Sequence, residues 1–244
     1  MIRASKRTPR HYFSFRSPYS WLAFRDMQQH HPELLDPLTW IPYWDPDEDT
    51  LRDLREAGGE YAYVPMSKEK HRYMLQDVRR QVQRRNLTVR WPLDSGVRWD
   101  VAHVGYFAAA DRGRGIDFID RVFNARWREG ASIDDPAVVC NIATGLGLDG
   151  HAVSSAHRDP YYRAKGVEAL LSAYDDDVFG PPLFVIGREK YWGMDRLDEF
   201  AGALRKSVRA PADTVTTTEG DGVSGVRSVF QPVGADISHA GGCG

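Results

Sequence analysis

The sequence predicts an α/β fold in which a large all-helical insertion separates a βαβ half from a ββα half. Three observations carry this expectation. An aromatic strand-like run, His11-Tyr12-Phe13-Ser14-Phe15, leads into a helix start and then into a second strand-like run at Leu38-Thr39-Trp40-Ile41. Near the other end, Leu183-Phe184-Val185-Ile186 is joined through Gly187-Arg188 to Lys190-Tyr191-Trp192, with an amphipathic helix behind it. Between the two, residues 45–174 carry helical periodicity and helix starts but no strand pattern.

Taken in order, residues 10–16 read as a short aromatic strand. Ser17 is placed to cap the helix that follows, and Pro18 fits its first position, where a missing N–H is harmless. Trp21, Leu22, Phe24 and Met27 carry that helix to Pro32. Strand, helix and strand with short links imply a right-handed parallel unit. The acidic, Gly-containing stretch 45–60 reads as an irregular loop. From Ser67 the spacing of Tyr73, Leu75, Val78 and Val82 predicts a helix to about Arg85. Further helices are expected near 99–112, 116–129, 135–146 and 159–174; Asp135-Pro136 and Asp159-Pro160 pair an acidic cap with a first-position proline. The strands return as a hairpin, and Leu197, Phe200, Ala201 and Leu204 line one face of the last helix. Residues 10–44 and 175–207 together describe a thioredoxin-like domain, 45–174 its helical insertion, and 208–244 a flexible Gly- and Ser-rich tail.

Composition narrows the function. A net charge of −2 gives no reason to expect nucleic acid as a partner, and the pairs Arg79-Arg80 and Arg84-Arg85 read as a solvated helix face. Two cysteines, Cys140 and Cys243, stand far apart, which excludes a disulfide framework and suits a reducing cytoplasm. No apolar run is long enough for a membrane span or a signal peptide, and no His/Asp/Glu spacing suggests a metal. His30-His31 and His71 read as isolated surface residues, and Cys243 as inert.

Five segments carry a resemblance over residues 10–206. They are 12–23 around Ser17-Pro18-Tyr19-Ser20, 70–77 from Lys70 to Asp77, 122–127 ending in Arg126-Trp127, 178–185 around Pro181-Pro182, and 191–197 around Met194-Asp195. In this order and spacing they resemble the thioredoxin-fold group that contains 2-hydroxychromene-2-carboxylate isomerase, kappa-class glutathione transferase and DsbA-like proteins. Redox members hold Cys-Pro-X-Cys where this chain has Ser17-Pro18-Tyr19-Ser20, so the resemblance implies the site without disulfide exchange.

What the resemblance implies is a thiol cofactor, glutathione or another low-molecular-weight thiol, whose sulfur meets Ser17. A hydroxyl donor at the positive end of a helix favours thiolate over thiol. A stabilised thiolate adds to a conjugated double bond, permits rotation and leaves, giving cis–trans isomerisation. Pro182 matches the family's cis-proline, and Pro181 stands where relatives offer a backbone N–H, which proline lacks. Asp195 matches a contact to the γ-glutamyl amino group, and Met194 replaces a polar residue. Lys70 is placed to meet a carboxylate, or to pair with a surface group as Asp77 would. Tyr19, Tyr43, Tyr73, Trp44 and Trp91 are candidate walls of an aromatic substrate pocket. The expected function is a thiol-dependent isomerase of a conjugated or aromatic small molecule, and the resemblance implies a homodimer. A kappa-type transferase and a non-redox accessory protein of a biosynthetic pathway are the alternatives.

Overall fold

The computed structural model describes residues 8–62, 65–94 and 98–209. The expected tail, with Cys243, lies outside the described residues except for the end of the last helix. Four strands, β1 (Arg10–Phe13), β2 (Thr39–Pro42), β3 (Leu183–Ile186) and β4 (Glu189–Trp192), form one sheet in the order β2-β1-β3-β4. β1 runs parallel to β2, with Tyr12 opposite Ile41, and antiparallel to β3, with Tyr12 opposite Leu183. β3 and β4 close the expected hairpin, Leu183 opposite Trp192. The central β1 is buried along its length, which is why its sequence is a continuous aromatic run instead of an alternation.

β1 stops at Phe13, three residues earlier than the aromatic pattern suggests. Ser14 leaves the ladder because its N–H donates to Ser20 Oγ at 3.2 Å while its carbonyl accepts from Ser17 N at 3.1 Å. The chain therefore turns sharply into α1 (Pro18–His30), with Pro18 in the first turn and Ser17 Oγ accepting from Ser20 N at 3.2 Å. Trp21, Leu22, Phe24 and Met27 form the buried face of α1, and Pro32 opens a short 3-10 turn after it.

The insertion contains α2 (Glu48–Glu56), α3 (Lys68–Arg84), α4 (Asp100–Ala110), α5 (Gly115–Asn124), α6 (Pro136–Gly145), α7 (Gly150–Ser154) and α8 (Pro160–Asp175). α2 corrects the loop expected over 45–60. Asp47 caps it through Thr50 N at 2.8 Å, yet only Thr50 and Leu54 are buried, so the helix shows almost no apolar face. α5 runs on into a π-helical turn, Ala125–Glu129, that ends at Gly130 with φ 73°. Asp135 and Asp159 cap α6 and α8 through the N–H groups of Ala137 and Tyr161, both at 2.8 Å.

α4 is the hub of the insertion. Buried along most of its length, it packs against α5, α6, α7 and α8. Aromatic rings weld this layer to the sheet: Phe13 meets Phe15, Trp40 and Tyr106 at 5.3, 5.8 and 5.5 Å, and Phe24 meets Phe123 at 5.7 Å. Burial of each phenylalanine contributes about 1.5–3 kcal/mol. α9 (Leu197–Arg209) covers the other side of the hairpin, with Phe200 4.9 Å from Phe184.

Candidate active site

A cavity of about 550 Å³ opens where the sheet's C-terminal turn meets the insertion. Its floor is Ser17, only 3 % exposed, at the mouth of α1. The first turn of α1 holds no acidic residue, so nothing on the helix offsets its positive end. Ser17 Oγ accepts from Ser20 N and donates to the carbonyl of Pro181 at 3.4 Å. A donor-to-acceptor distance that long marks a weak bond, so the hydroxyl hydrogen can be redirected at small cost.

Pro181 comes from the loop preceding β3, and its bond to Pro182 is cis. Phe179, Gly180 and Pro181 all line the cavity. Pro182 lies one residue further in; its carbonyl accepts from Gly193 N at 2.9 Å, tying the loop to the end of β4.

The walls are aromatic. Tyr43, Trp44, Tyr61, Trp91 and Trp127 line them, with Met66, Met74 and Leu75 filling between the rings. Trp91 stands edge-on to Trp127 at 5.6 Å, and Tyr43 leans on Tyr61 at 5.2 Å. Burial pushes the Tyr43 phenol up to about 12. Burial, with help from Tyr43 and Asp45, holds the Tyr61 phenol far above its usual range. Neither phenol ionises near neutral pH, so both act as hydrogen-bonding walls.

Charge enters as two arginine–aspartate pairs. Arg16 pairs closely with Asp45, which also accepts from the Tyr61 hydroxyl. Arg126, 2 % exposed, makes a bidentate pair with Asp94 at 2.8 and 3.0 Å and lies between the rings of Trp99 and Trp127 at 4.9 and 5.0 Å. His71, expected at the surface, is exposed but lies on the cavity wall.

The sequence-predicted residues divide between the cavity and its surroundings. Ser17, Pro181, Tyr43, Trp44 and Trp91 line it. Tyr19 does not; its hydroxyl donates to Asp77 at 3.0 Å. Tyr73 is 61 % exposed, with Arg80 over its ring at 5.6 Å. Lys70 is half-buried on the first turn of α3, outside the cavity lining. Met194 is buried, and Asp195 projects outward beside Arg196 at 3.8 Å. His31, also expected at the surface, is nearly buried, 2.7 Å from Asp198.

Several contributors were not singled out by pattern, among them Arg16, Tyr61, Arg126, Trp127 and His103. Arg16, Arg126 and Trp127 lie inside the segments that carry the resemblance, and His103 is the one imidazole in the apolar run Val101-Ala102-His103-Val104. A polar ring in such a helix must find partners, and that was the available clue.

Among the described residues no helix is long and apolar enough to cross a membrane, and Cys140 sits on α6, away from the cavity.

The chain's likeness to known proteins is consistent across sequence and fold. The model of the DSBA-like thioredoxin domain family matches residues 10–205. A 2-hydroxychromene-2-carboxylate isomerase of Sphingobium xenophagum is 26% identical over 191 residues, which covers 77% of this chain and 92% of that protein. A protein of the same name from Pseudomonas putida is 26% identical over 141 residues, or 58% of this chain and 68% of that one. A solved 2-hydroxychromene-2-carboxylate isomerase superposes with a TM-score of 0.62 at 24% identity, covering 82% of this chain and 96% of the other.

Proposed function

From the premise that the chain belongs to the DSBA-like thioredoxin domain family, we propose that it is an isomerase of a conjugated small molecule, assisted by a thiol. The relatives named as isomerases support the reaction class. The observation that carries the reading is Ser17: a buried hydroxyl on an unopposed helix N-terminus, facing an aromatic cavity, in the slot where redox relatives need a cysteine.

The residues present fit a small thiol. When bound, a thiol supplies reversible addition to a conjugated double bond, which frees rotation about it. Ser17 contributes a hydrogen-bond donor once its hydroxyl turns from Pro181, and the end of α1 adds a favourable field of about 0.3–1 kcal/mol for negative charge. Trp91, Trp127, Tyr43 and Phe179 hold a flat ligand and exclude water, which strengthens both effects. Pro181 offers its carbonyl but has no N–H, so the usual two-point backbone grip is halved. Glutathione, or another thiol that needs fewer backbone contacts, is the cosubstrate class. Asp195 and Lys70 would serve it only from outside the cavity lining. A cytoplasmic, homodimeric protein acting on a small molecule is the setting this reading carries.

The test offers an unsaturated aromatic substrate with and without thiol to the protein and to Ser17→Ala. Thiol-dependent conversion at unchanged product mass, lost about 100-fold in the variant, is expected. Equal rates in both proteins overturn the role of Ser17, and a product heavier by one thiol makes the protein a transferase. The Ser17–Pro181 hydrogen bond favours one second reading, a binding protein whose serine is occupied by its own backbone. Calorimetry with millimolar thiol decides it, since that reading requires no heat of binding.

A further inference from the structure

His103 is fully buried on α4 and does not itself line the cavity, but it meets two residues that do, Ser14 and Trp44, and it holds the turn that carries Ser17. Its Nδ1 lies 2.6 Å from the carbonyl of Trp99, so that nitrogen bears the hydrogen. Its Nε2 is then the acceptor, and the Phe15 N–H donates to it at 3.0 Å. The Ser14 hydroxyl approaches the same nitrogen at 3.4 Å. On the far side of Phe15, the Trp127 indole N–H donates to the Phe15 carbonyl at 3.1 Å. Both peptide groups of the residue two before Ser17 are thus gripped by the insertion.

The imidazole is itself fixed. Trp44 stacks on it at 5.5 Å with 15° between the planes, and the Trp44 indole donates to Asp100 at 2.9 Å. Phe15 leans on its other side at 5.0 Å. Burial, with Arg126 and Arg16 nearby, pushes its pKa down to about 3, so it stays neutral and keeps its acceptor free. Without that acceptor the Phe15 N–H would be a buried orphan in a turn that has no other partner for it among the described residues.

We propose that His103 is a positioning residue: its Nε2 sets the Ser14–Ser17 turn, and so aims the Ser17 hydroxyl and the α1 N-terminus at the cavity. This rests on the proposed role of Ser17, but it can be read without it. A misplacement of about 1 Å at a reacting group lowers turnover about 100-fold; of the aromatic walls Trp44 stacks on His103, while Trp91 and Phe179 make no ring contact with it and keep the ligand's seat.

The experiment places a reporter thiol at the site, Ser17→Cys, and measures its pKa from the pH dependence of alkylation. A thiol on a helix N-terminus titrates well below the ordinary 8.5 or so. Adding His103→Leu is expected to raise it by about one unit as the turn slips off the helix axis, and His103→Gln, whose amide oxygen can reach the Nε2 position, is expected to restore it. In the Ser17 protein, His103→Leu is expected to lower kcat about 100-fold with KM within about twofold, and the pH profile keeps its shape. A thiol pKa indifferent to His103, or a glutamine variant no better than leucine, overturns the proposal. If His103→Leu does not fold, His103→Asn, too short to reach Phe15, takes its place. A thiol pKa that responds in a protein with no isomerase activity removes the isomerase reading and leaves the positioning role intact.

Discussion

Asp176 joins the two chain segments that build the site, and its removal has a calculable effect. It follows α8 and meets β1 from the side: Arg10 Nε and Nη2 reach its two carboxylate oxygens at 2.6 and 3.1 Å, and the Tyr12 hydroxyl donates to it at 2.6 Å. Arg10 is 2 % exposed, so this is a buried pair. Asp176→Ala leaves the guanidinium with the carbonyls of Thr8 and Gly187 as its remaining acceptors, at 3.0 and 3.4 Å. Stranding one partner of a buried pair costs about 3–5 kcal/mol. For a chain of this size each kcal/mol is about 2–4 °C in Tm, so a fall of roughly 10 °C is expected. Asp176→Asn keeps an acceptor for Tyr12 and falls less. Urea unfolding with linear extrapolation measures both, at low and high salt. A loss under about 1 kcal/mol, or one that halves with salt, is the behaviour of an exposed pair and would refute the reasoning. Because β1 leads into Ser17 and the segment after Asp176 leads to Pro181, activity should fall with stability.

Two further outcomes follow from packing and burial. His11 and His103 are both held neutral by burial, each with its pKa pushed down to about 3. The folded state therefore binds fewer protons than the unfolded one between the ordinary histidine value and about 3. Stability is full above about 6.5 and declines as pH falls through that window, by up to about 1.4 kcal/mol per pH unit for each group; unfolding curves for His103→Gln between pH 4.5 and 6.5 should be measurably flatter. Gly150 opens α7 so close to α6 that an added Cβ would lie 2.6 Å from the Cys140 carbonyl and even nearer the Thr144 hydroxyl. Gly150→Ala should cost about 1–3 kcal/mol by overpacking, and an unchanged denaturation midpoint would contradict it.

Much of the fold was legible because its signals are local. Ser17-Pro18, Asp135-Pro136 and Asp159-Pro160 announce helix starts through caps that need only their own backbone. The β3–β4 hairpin is an apolar strand, a Gly-Arg turn and an aromatic return, and the buried β1 is marked by its aromatic run. α2 was illegible because Glu48-Asp49-Thr50-Leu51-Arg52 buries so little that no apolar stripe marks it; its Asp47 cap was the remaining clue. The end of β1 was misplaced because Phe15 is aromatic and buried yet belongs to a turn fixed by Ser20 and His103, residues that pattern cannot bring together.

The candidate site divides in the same way. Ser17 is readable as a helix cap from its own Ser-Pro step, and Pro181 is placed only by the resemblance that its segment carries. Which aromatics face the cavity is decided by helix rotation and long-range packing. Tyr43 and Trp91 face it, while Tyr19 and Tyr73 turn toward Asp77 and Arg80. His103, Trp127 and Arg126 act through tertiary contacts, so composition and spacing carry little trace of them.

The central claim is that Ser17 and the α1 N-terminus stabilise a thiolate. Thiolate absorbs in the ultraviolet where thiol does not, so difference absorbance on titrating a small thiol such as glutathione into the protein at neutral pH reads the claim directly. An excess of thiolate absorbance that saturates with the protein and disappears in Ser17→Ala is the predicted result. Binding with no such excess, or an excess that survives in Ser17→Ala, would contradict it.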